Sequence, residues 1–356
     1  MGTETYRIAS LPGDGIGPEV IGKTWRVLQK IEELFPEIRF RREEYPVGAA
    51  EFLRSGDPFP ESVFEQVSRC GAILLGAMGL PDVRGPGGTE ITPQLDLRER
   101  LELYAGVRPV RLFHPAHSPL RARAPGAIDF VLVRESTEGL FSARKRRWPP
   151  DADAVVDEMR ITRMASARLF RFAFSLARRR RRHVTLVDKA NVLPSMVFFR
   201  RIFDEISEEF PDVRTSRLYV DAAALALVRR PGDFDVIVTE NMFGDILSDL
   251  AAALVGGMGL APSADIGDRH AVFQPAHGSA PDIAGKGIAN PVAAILSASL
   301  MLDWLGSRQC RRAAETVRQA VATVLSDPAR ATPDLGGTLT SSGLTDAILQ
   351  AMESCT

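Results

Sequence analysis

Residues 239–262 read TENMFGDILSDLAAALVGGMGLAP. A short apolar run at 236–239 predicts a strand, and the apolar spacing that follows predicts a helix. The same strand-then-helix succession recurs along the chain. Strands are expected at 6–11, 71–76, 129–133 and 183–187, and helices at 20–35, 163–174, 293–305 and 312–325. In the helix at 20–35, Val20, Val27, Leu28, Ile31 and Leu34 fall on a recurring face. Such alternation argues for an α/β fold with a largely parallel sheet. A small amphipathic segment closes the chain.

Asp245 and Asp249 stand four residues apart at the start of the helical pattern, which places both carboxylates on one face about one turn apart. Two carboxylates so placed repel unless a cation lies between them, and oxygen ligands of this kind suit a hard cation. Taken alone, the pair reads first as an exposed acidic helix face.

The 356 residues suggest two domains, with 45% hydrophobic and 25% charged residues as in ordinary soluble proteins. The formal net charge of −1 gives no reason to expect nucleic acid or an anionic membrane as partner. Cys70, Cys310 and Cys355 are widely spaced, which fits a reducing compartment and no zinc site. The N-terminal residues carry no signal pattern, and no run of about 18 apolar residues could span a bilayer. A cytoplasmic protein is expected.

PGDGIGPE, residues 12–19, is glycine-rich but lacks the G-x-G-x-x-G spacing and reads as a tight strand-to-helix turn, with Pro18 in the helix's first turn. The glycine- and proline-rich segment 79–88 reads as a loop. Arg98 and Arg108 bracket an expected helical segment that Pro109 stops, and Arg134 ends the strand at 129–133. Each arginine alone is ordinary; together, beside strand ends, they suit an anionic substrate through bidentate guanidinium contacts. Residues 142–157 read as an exposed excursion. His114 and His117 flank Pro115 and read as surface residues, and the five arginines at 178–182 read as cations favouring a helix C-terminus. Lys189 follows the strand at 183–187 beside Asp188, and Asp221 follows an expected strand at 217–220. In isolation the Lys–Asp neighbours read as a solvated pair; with a cation nearby the lysine could serve as a base.

Jointly these segments become specific. PGDGIGPE, LRERLELYAGVRP, VRESTEG, VDKANVLP, TENMFGDILSD and HGSAPDIAGKGIANP occur in the order that resembles the isocitrate and 3-isopropylmalate dehydrogenases, the metal-dependent β-decarboxylating dehydrogenases. The resemblance spans residues 11 to about 302. It implies a two-domain fold around a continuous mixed sheet, not a Rossmann fold, with 1–103 plus 256–356 on the cofactor side and 104–255 carrying the substrate and dimer contacts. It also implies a homodimer with shared active sites and an intersubunit arm at 142–157.

Carried over residue by residue, the resemblance implies that Arg98, Arg108 and Arg134 hold the malate carboxylates. Asp245 and Asp249 correspond to ligands of Mg²⁺ or Mn²⁺ from one subunit, and Asp221 to the ligand or base supplied by the other. Lys189, also from the partner, corresponds to the group that takes the hydroxyl proton. His277, Gly278, Ser279, Ala280, Pro281, Asp282, Ile283 and Asn290, with Asn191, correspond to cofactor contacts. Asp282 would repel a 2′-phosphate, which argues for NAD.

Two positions depart from the family pattern. Phe141 stands where the family places a catalytic tyrosine, seven residues after Arg134, and it has no proton to give. The substrate-selecting segment TEITPQL, residues 89–95, places Thr92 and Gln94 near positions that are Ser and Asn in isocitrate enzymes. Isopropylmalate enzymes instead favour a leucine pair at positions 94 and 95, of which only Leu95 is present. The expected activity is NAD- and metal-dependent oxidative decarboxylation of a 3-substituted (R)-malate, with 3-isopropylmalate first. Tartrate, D-malate, isocitrate and homoisocitrate are the alternatives, and a catalytically silent regulatory subunit is the alternative of another class.

Overall fold

The computed structural model describes residues 3–85, 88–121, 124–149 and 151–355. Residues 86 and 87 of the glycine-rich loop and residue 150 of the 142–157 excursion lie outside this set. The strands are β1 (Glu4–Gly13), β2 (Ile38–Glu44), β3 (Ala72–Ala77), β4 (Ala105–Arg111), β5 (Asp129–Glu135), β6 (His183–Asp188), β7 (Arg214–Tyr219), β8 (Val236–Thr239), β9 (Pro262–Ile266) and β10 (Ala271–Pro275). They form one sheet in the order β2-β1-β3-β10-β9-β4-β5-β8-β6-β7. The pairs β10–β9, β9–β4 and β4–β5 are antiparallel and the others parallel, so the sheet is mixed.

β3, β6 and β8 are buried along their whole length, as expected of parallel strands covered on both faces. The helix Val292–Leu305 is apolar nearly all round and lies inside the fold, packed between the sheet and the helices Gly17–Leu34 and Arg308–Leu325. In the other half of the sheet, Phe170 and Phe174 of the helix Arg163–Arg178 stack against Phe199 and Phe203 of the helix Pro194–Ser207 and against Phe210. No helix among the described residues is long and apolar enough to cross a membrane.

The segment between Arg98 and Arg108 departs from expectation. Its helix, Pro93–Arg100, ends early, Glu102 turns the chain at φ 53°, and Arg108 and Pro109 lie inside β4. A proline is tolerated in this central strand because β9 pairs only with Ala105, Gly106 and Val107. The Val131 opposite Pro109 donates its N–H away to Asp235 on the β8 side, so no ladder bond to β5 is lost.

The arginine run is a structural bracket. Arg178 pairs with Asp212, Arg180 with Asp129 and Asp235, and Arg181 donates to the Asp129 and Phe234 carbonyls. These contacts tie the helix end to the starts of β5 and β8.

His117 is not a surface residue. The 3₁₀ turn Pro115–His117 folds it back against Gly256, where an added Cβ would lie 3.2 Å from the His117 Cβ, and Ser118 Oγ donates to the Leu254 carbonyl. Neither ring nitrogen of the buried His117 has a hydrogen-bond partner among the described residues. His114 is half-buried, and its Nδ1 accepts from the Ala116 N–H. Burial, reinforced by His114, holds the His117 pKa below 6.5. A folded pKa below the unfolded one contributes stability that is complete above 6.5 and lost as pH falls from there towards the folded value. His117→Leu should therefore show a smaller fall in melting temperature between about pH 7.5 and about pH 5.5 than the unaltered protein. Equal falls would show that His117 carries no share of the acid sensitivity.

Candidate active site

The helix Asn241–Ala253 starts directly after β8, and Glu240 caps it by accepting from the N–H groups of Met242 and Phe243. Gly244 is required at this start, since a Cβ would lie 2.7 Å from Arg134 Cγ. Its absence lets Arg134, rising from the end of β5, lie across the helix. Arg134 Nε donates 2.8 Å to Asn241 Oδ1, and its Nη1 pairs with Asp245 Oδ1. Nη2 is buried without a partner among the described residues.

Arg98 and Arg108 join it. Arg98 Nε donates 3.0 Å to Asp265 Oδ2, and Arg108 Nη1 donates to Ser263 Oγ. All three arginines are buried and line one cleft with Leu95, Phe141, Asp245, Asp249 and His277. Burial, followed by the charge of Arg98, pushes the Arg134 pKa down to about 10, which still leaves it cationic at neutral pH. The cleft therefore gathers three guanidinium groups, among them a buried donor of Arg134 with no partner among the described residues, the arrangement that takes carboxylates.

Beside the arginines, Asp245 and Asp249 lie one turn apart as expected. The Asp249 pKa is raised, first by burial and then by the neighbouring Asp245 charge. A carboxylate crowded in this way is one a cation would relieve, so the pair fits Mg²⁺ or Mn²⁺. Asp221 does not join them. It sits in the first turn of the helix Val220–Arg229 and accepts 2.8 Å from Lys189 Nζ, which holds its pKa below the usual range. No group of three or more potential metal-ligating residues is found among the described residues. One chain thus separates the expected site into a cleft with two carboxylates and a Lys189–Asp221 pair that does not line it. Asn191 lies on the turn next to Lys189, away from the residues that line the cleft.

The loop from His277 to Asn290 borders the cleft through His277 and Gly278. His277 Nδ1 is 2.9 Å from the Gly278 carbonyl, while its Nε2 is buried and unpartnered. Burial lowers the His277 pKa, so the ring is neutral at pH 7. Ala280 holds φ 38°, a strained conformation for a residue with a Cβ. Ser279 is buried and its carbonyl accepts 2.8 Å from the Ile16 N–H; at Gly15 a Cβ would lie 1.9 Å from that carbonyl oxygen. Pro281 and Asp282 are exposed, and Ile283 packs towards Ile16 and Val20. Asn290 Nδ2 donates 3.0 Å to Asp334. The unpartnered His277 nitrogen and the exposed Asp282 carboxylate fit the adenosine end of NAD.

Sequence reasoning missed Asp14, Asp265 and Asp334. Asp14 accepts from the N–H groups of Ala49, Ala50 and Gly79, fastening the turn before the first helix. Its place in PGDGIGPE was the only available signal; nothing local marks the other two.

A model of the isocitrate/isopropylmalate dehydrogenase family matches residues 7–349. The isocitrate/homoisocitrate dehydrogenase of Thermus thermophilus is 45% identical, covering 98% of this chain and 99% of that protein. The 3-isopropylmalate dehydrogenase of Aquifex aeolicus is 41% identical over 98% of this chain and 97% of its own length. The crystal structure of isocitrate dehydrogenase from Methylococcus capsulatus superposes with a TM-score of 0.87 at 35% identity, covering 98% of this chain and 99% of that one. With its mixed ten-stranded sheet and its arginine–aspartate cleft, the chain belongs to the isocitrate/isopropylmalate dehydrogenase family and is a decarboxylating dehydrogenase of that type.

Proposed function

We propose that the protein catalyses the NAD-dependent, Mg²⁺- or Mn²⁺-dependent oxidative decarboxylation of a 3-substituted (R)-malate. The observation that carries this reading is the buried trio Arg98, Arg108 and Arg134 beside Asp245 and Asp249 in one cleft. The guanidinium groups bind and orient the two malate carboxylates, with Arg134 Nη2 free to donate. Asp245 and Asp249 would hold the metal, which when bound polarises the 2-hydroxyl and stabilises developing negative charge. The loop from His277 to Asn290 would hold NAD, the hydride acceptor.

The reading places two domains, 1–103 plus 256–356 and 104–255, on either side of the cleft, in a cytoplasmic homodimer. Lys189 and Asp221 reach the cleft from a second copy of the chain, Lys189 taking the hydroxyl proton and Asp221 serving as further ligand or base. Three features support the dimer. The Lys189–Asp221 pair stands apart from Asp245 and Asp249, Leu225 and Val228 on the helix Val220–Arg229 are exposed, and so is Ile246 beside Asp245. Such apolar exposure on neighbouring helices suits an interface between copies.

Among substrates, 3-isopropylmalate stands first because VDKANVLP, Leu95 and the Asp282-bearing loop lean that way. Tartrate, D-malate, isocitrate and homoisocitrate are its competitors. Steady-state assays of these acids with Mn²⁺, and with NAD or NADP, should show NADH formation from one of them and a preference for NAD. No reduced cofactor from any acid would end this reading. Phe141 favours one second reading, a catalytically silent subunit that has lost its proton donor. Calorimetric titration with Mn²⁺, with and without (R)-malate, separates the two, since a silent subunit has no need to bind the metal.

A further inference from the structure

Asp265 lies in β9, 1% exposed, behind the arginines that face the cleft. Its Oδ2 accepts 3.0 Å from Arg98 Nε and 2.8 Å from Gln274 Nε2. Its Oδ1 is buried with no hydrogen-bond partner among the described residues and stands 3.9 Å from Arg108 Nη2. Gly106 on β4 leaves space for that oxygen, since a Cβ there would come within 3.2 Å of it. One buried carboxylate is thus fastened on one side and faces a second guanidinium on the other.

Burial by itself would push the Asp265 pKa up, yet the charges of Arg98, Arg108 and Arg134 hold it below the usual carboxylate range. The converse holds for the arginines. Arg98 and Arg108 each oppose the charge on Arg134, while Asp245 and Asp265 favour it. Of these two carboxylates, Asp245 is half exposed and is the one a metal would draw upon; Asp265 is buried and does not itself line the cleft.

We propose that Asp265 is a positioning residue, the permanent counter-charge that holds Arg98 in place and offsets mutual repulsion among the arginines when no dicarboxylate is bound. The proposal rests on reading the cleft as a dicarboxylate site. Three buried guanidinium groups in one cleft without compensation are unfavourable, because each charge has lost its water. A bound dicarboxylate supplies compensation only while it is present. Asp265 supplies part of it at all times, from the side away from the substrate.

Asp265→Asn keeps the shape and removes the charge. Its melting temperature without ligand should fall by about 5–10 °C, the scale of a broken buried ion pair in a protein of this size. Adding (R)-malate, without metal or cofactor, should raise the melting temperature of the variant by more than it raises that of the unaltered protein. This follows because the anion then supplies the missing charge. A variant with reduced stability but the same malate-induced rise would show that Asp265 is merely structural, and so overturn the proposal. Unchanged stability and an unchanged rise would overturn it as well. A rise in neither protein would instead remove the dicarboxylate reading, and the proposal with it. Should Asp265→Asn fail to fold, the double variant Asp265→Asn, Arg98→Met decides. It should be recovered folded, because one uncompensated guanidinium has gone, and failure of the double variant to fold would count against the proposal.

Discussion

Asp245→Asn should lower kcat/KM by about 10²- to 10³-fold, the range expected when a metal that stabilises developing charge loses one of its carboxylate ligands. Asp245 has two roles in the structure. On the proposed reading it is one of two carboxylates that would hold the metal, and it pairs with Nη1 of the buried Arg134. Cation and substrate would therefore draw on two groups that pair with each other when neither is bound. When a substrate carboxylate takes Arg134, Asp245 is released towards the metal, so binding of one should strengthen binding of the other. The asparagine variant removes a charge from both partners. Mn²⁺ affinity measured by calorimetry should drop, and the gain in Mn²⁺ affinity that (R)-malate brings should shrink. Arg134 keeps its bond to Asn241, so the fold should survive. A variant that retains full Mn²⁺ affinity and full turnover would remove Asp245 from the metal site.

Phe141→Tyr should raise decarboxylation relative to hydride transfer by about tenfold or more, within the usual contribution of a positioned general acid. Phe141 lies in the 3₁₀ turn Leu140–Ala143, and its ring centroid is 5.0 Å from Arg134 Cζ. A phenol there would extend into the cleft beside a cation that favours its ionised form, which makes it a better proton donor. Among the described residues no tyrosine lines this cleft. Tyr104 donates 3.1 Å to Asp268, lies under Arg168, and has its phenol pushed up to about 12, first by burial and then by Asp268. The check is the ratio of CO₂ released to NADH formed, with the intermediate keto acid trapped. An unchanged ratio would show that another group already protonates the enol.

Much of the framework was legible because it is local. Continuous apolar runs announced β3, β6 and β8, since strands buried on both faces need no alternation. β4 was misread because its charged residues and its proline suggest a helix end, and only β9 stopping short at Val107 makes Pro109 harmless. His117 looked exposed because a proline-rich segment carries no periodicity; its burial comes from the approach of Gly256, far along the chain. The candidate site residues were assigned through the order of the motifs, whereas their charge partners carry no such signal. Asp265 meets Arg98 across 167 residues, and nothing near either position in the chain announces the contact.

The sequence by itself determined the strand-to-helix alternation and the Asp245–Asp249 spacing. Both follow from backbone geometry within a few residues, where helical periodicity sets side-chain direction. Only the tertiary structure decided which charges are compensated and by what. It gave Asp245 to Arg134, set Asp265 behind Arg98, and kept Lys189 and Asp221 apart from the carboxylate pair. The energy of a charge depends on what surrounds it once water is excluded, and those surroundings are assembled from distant parts of the chain.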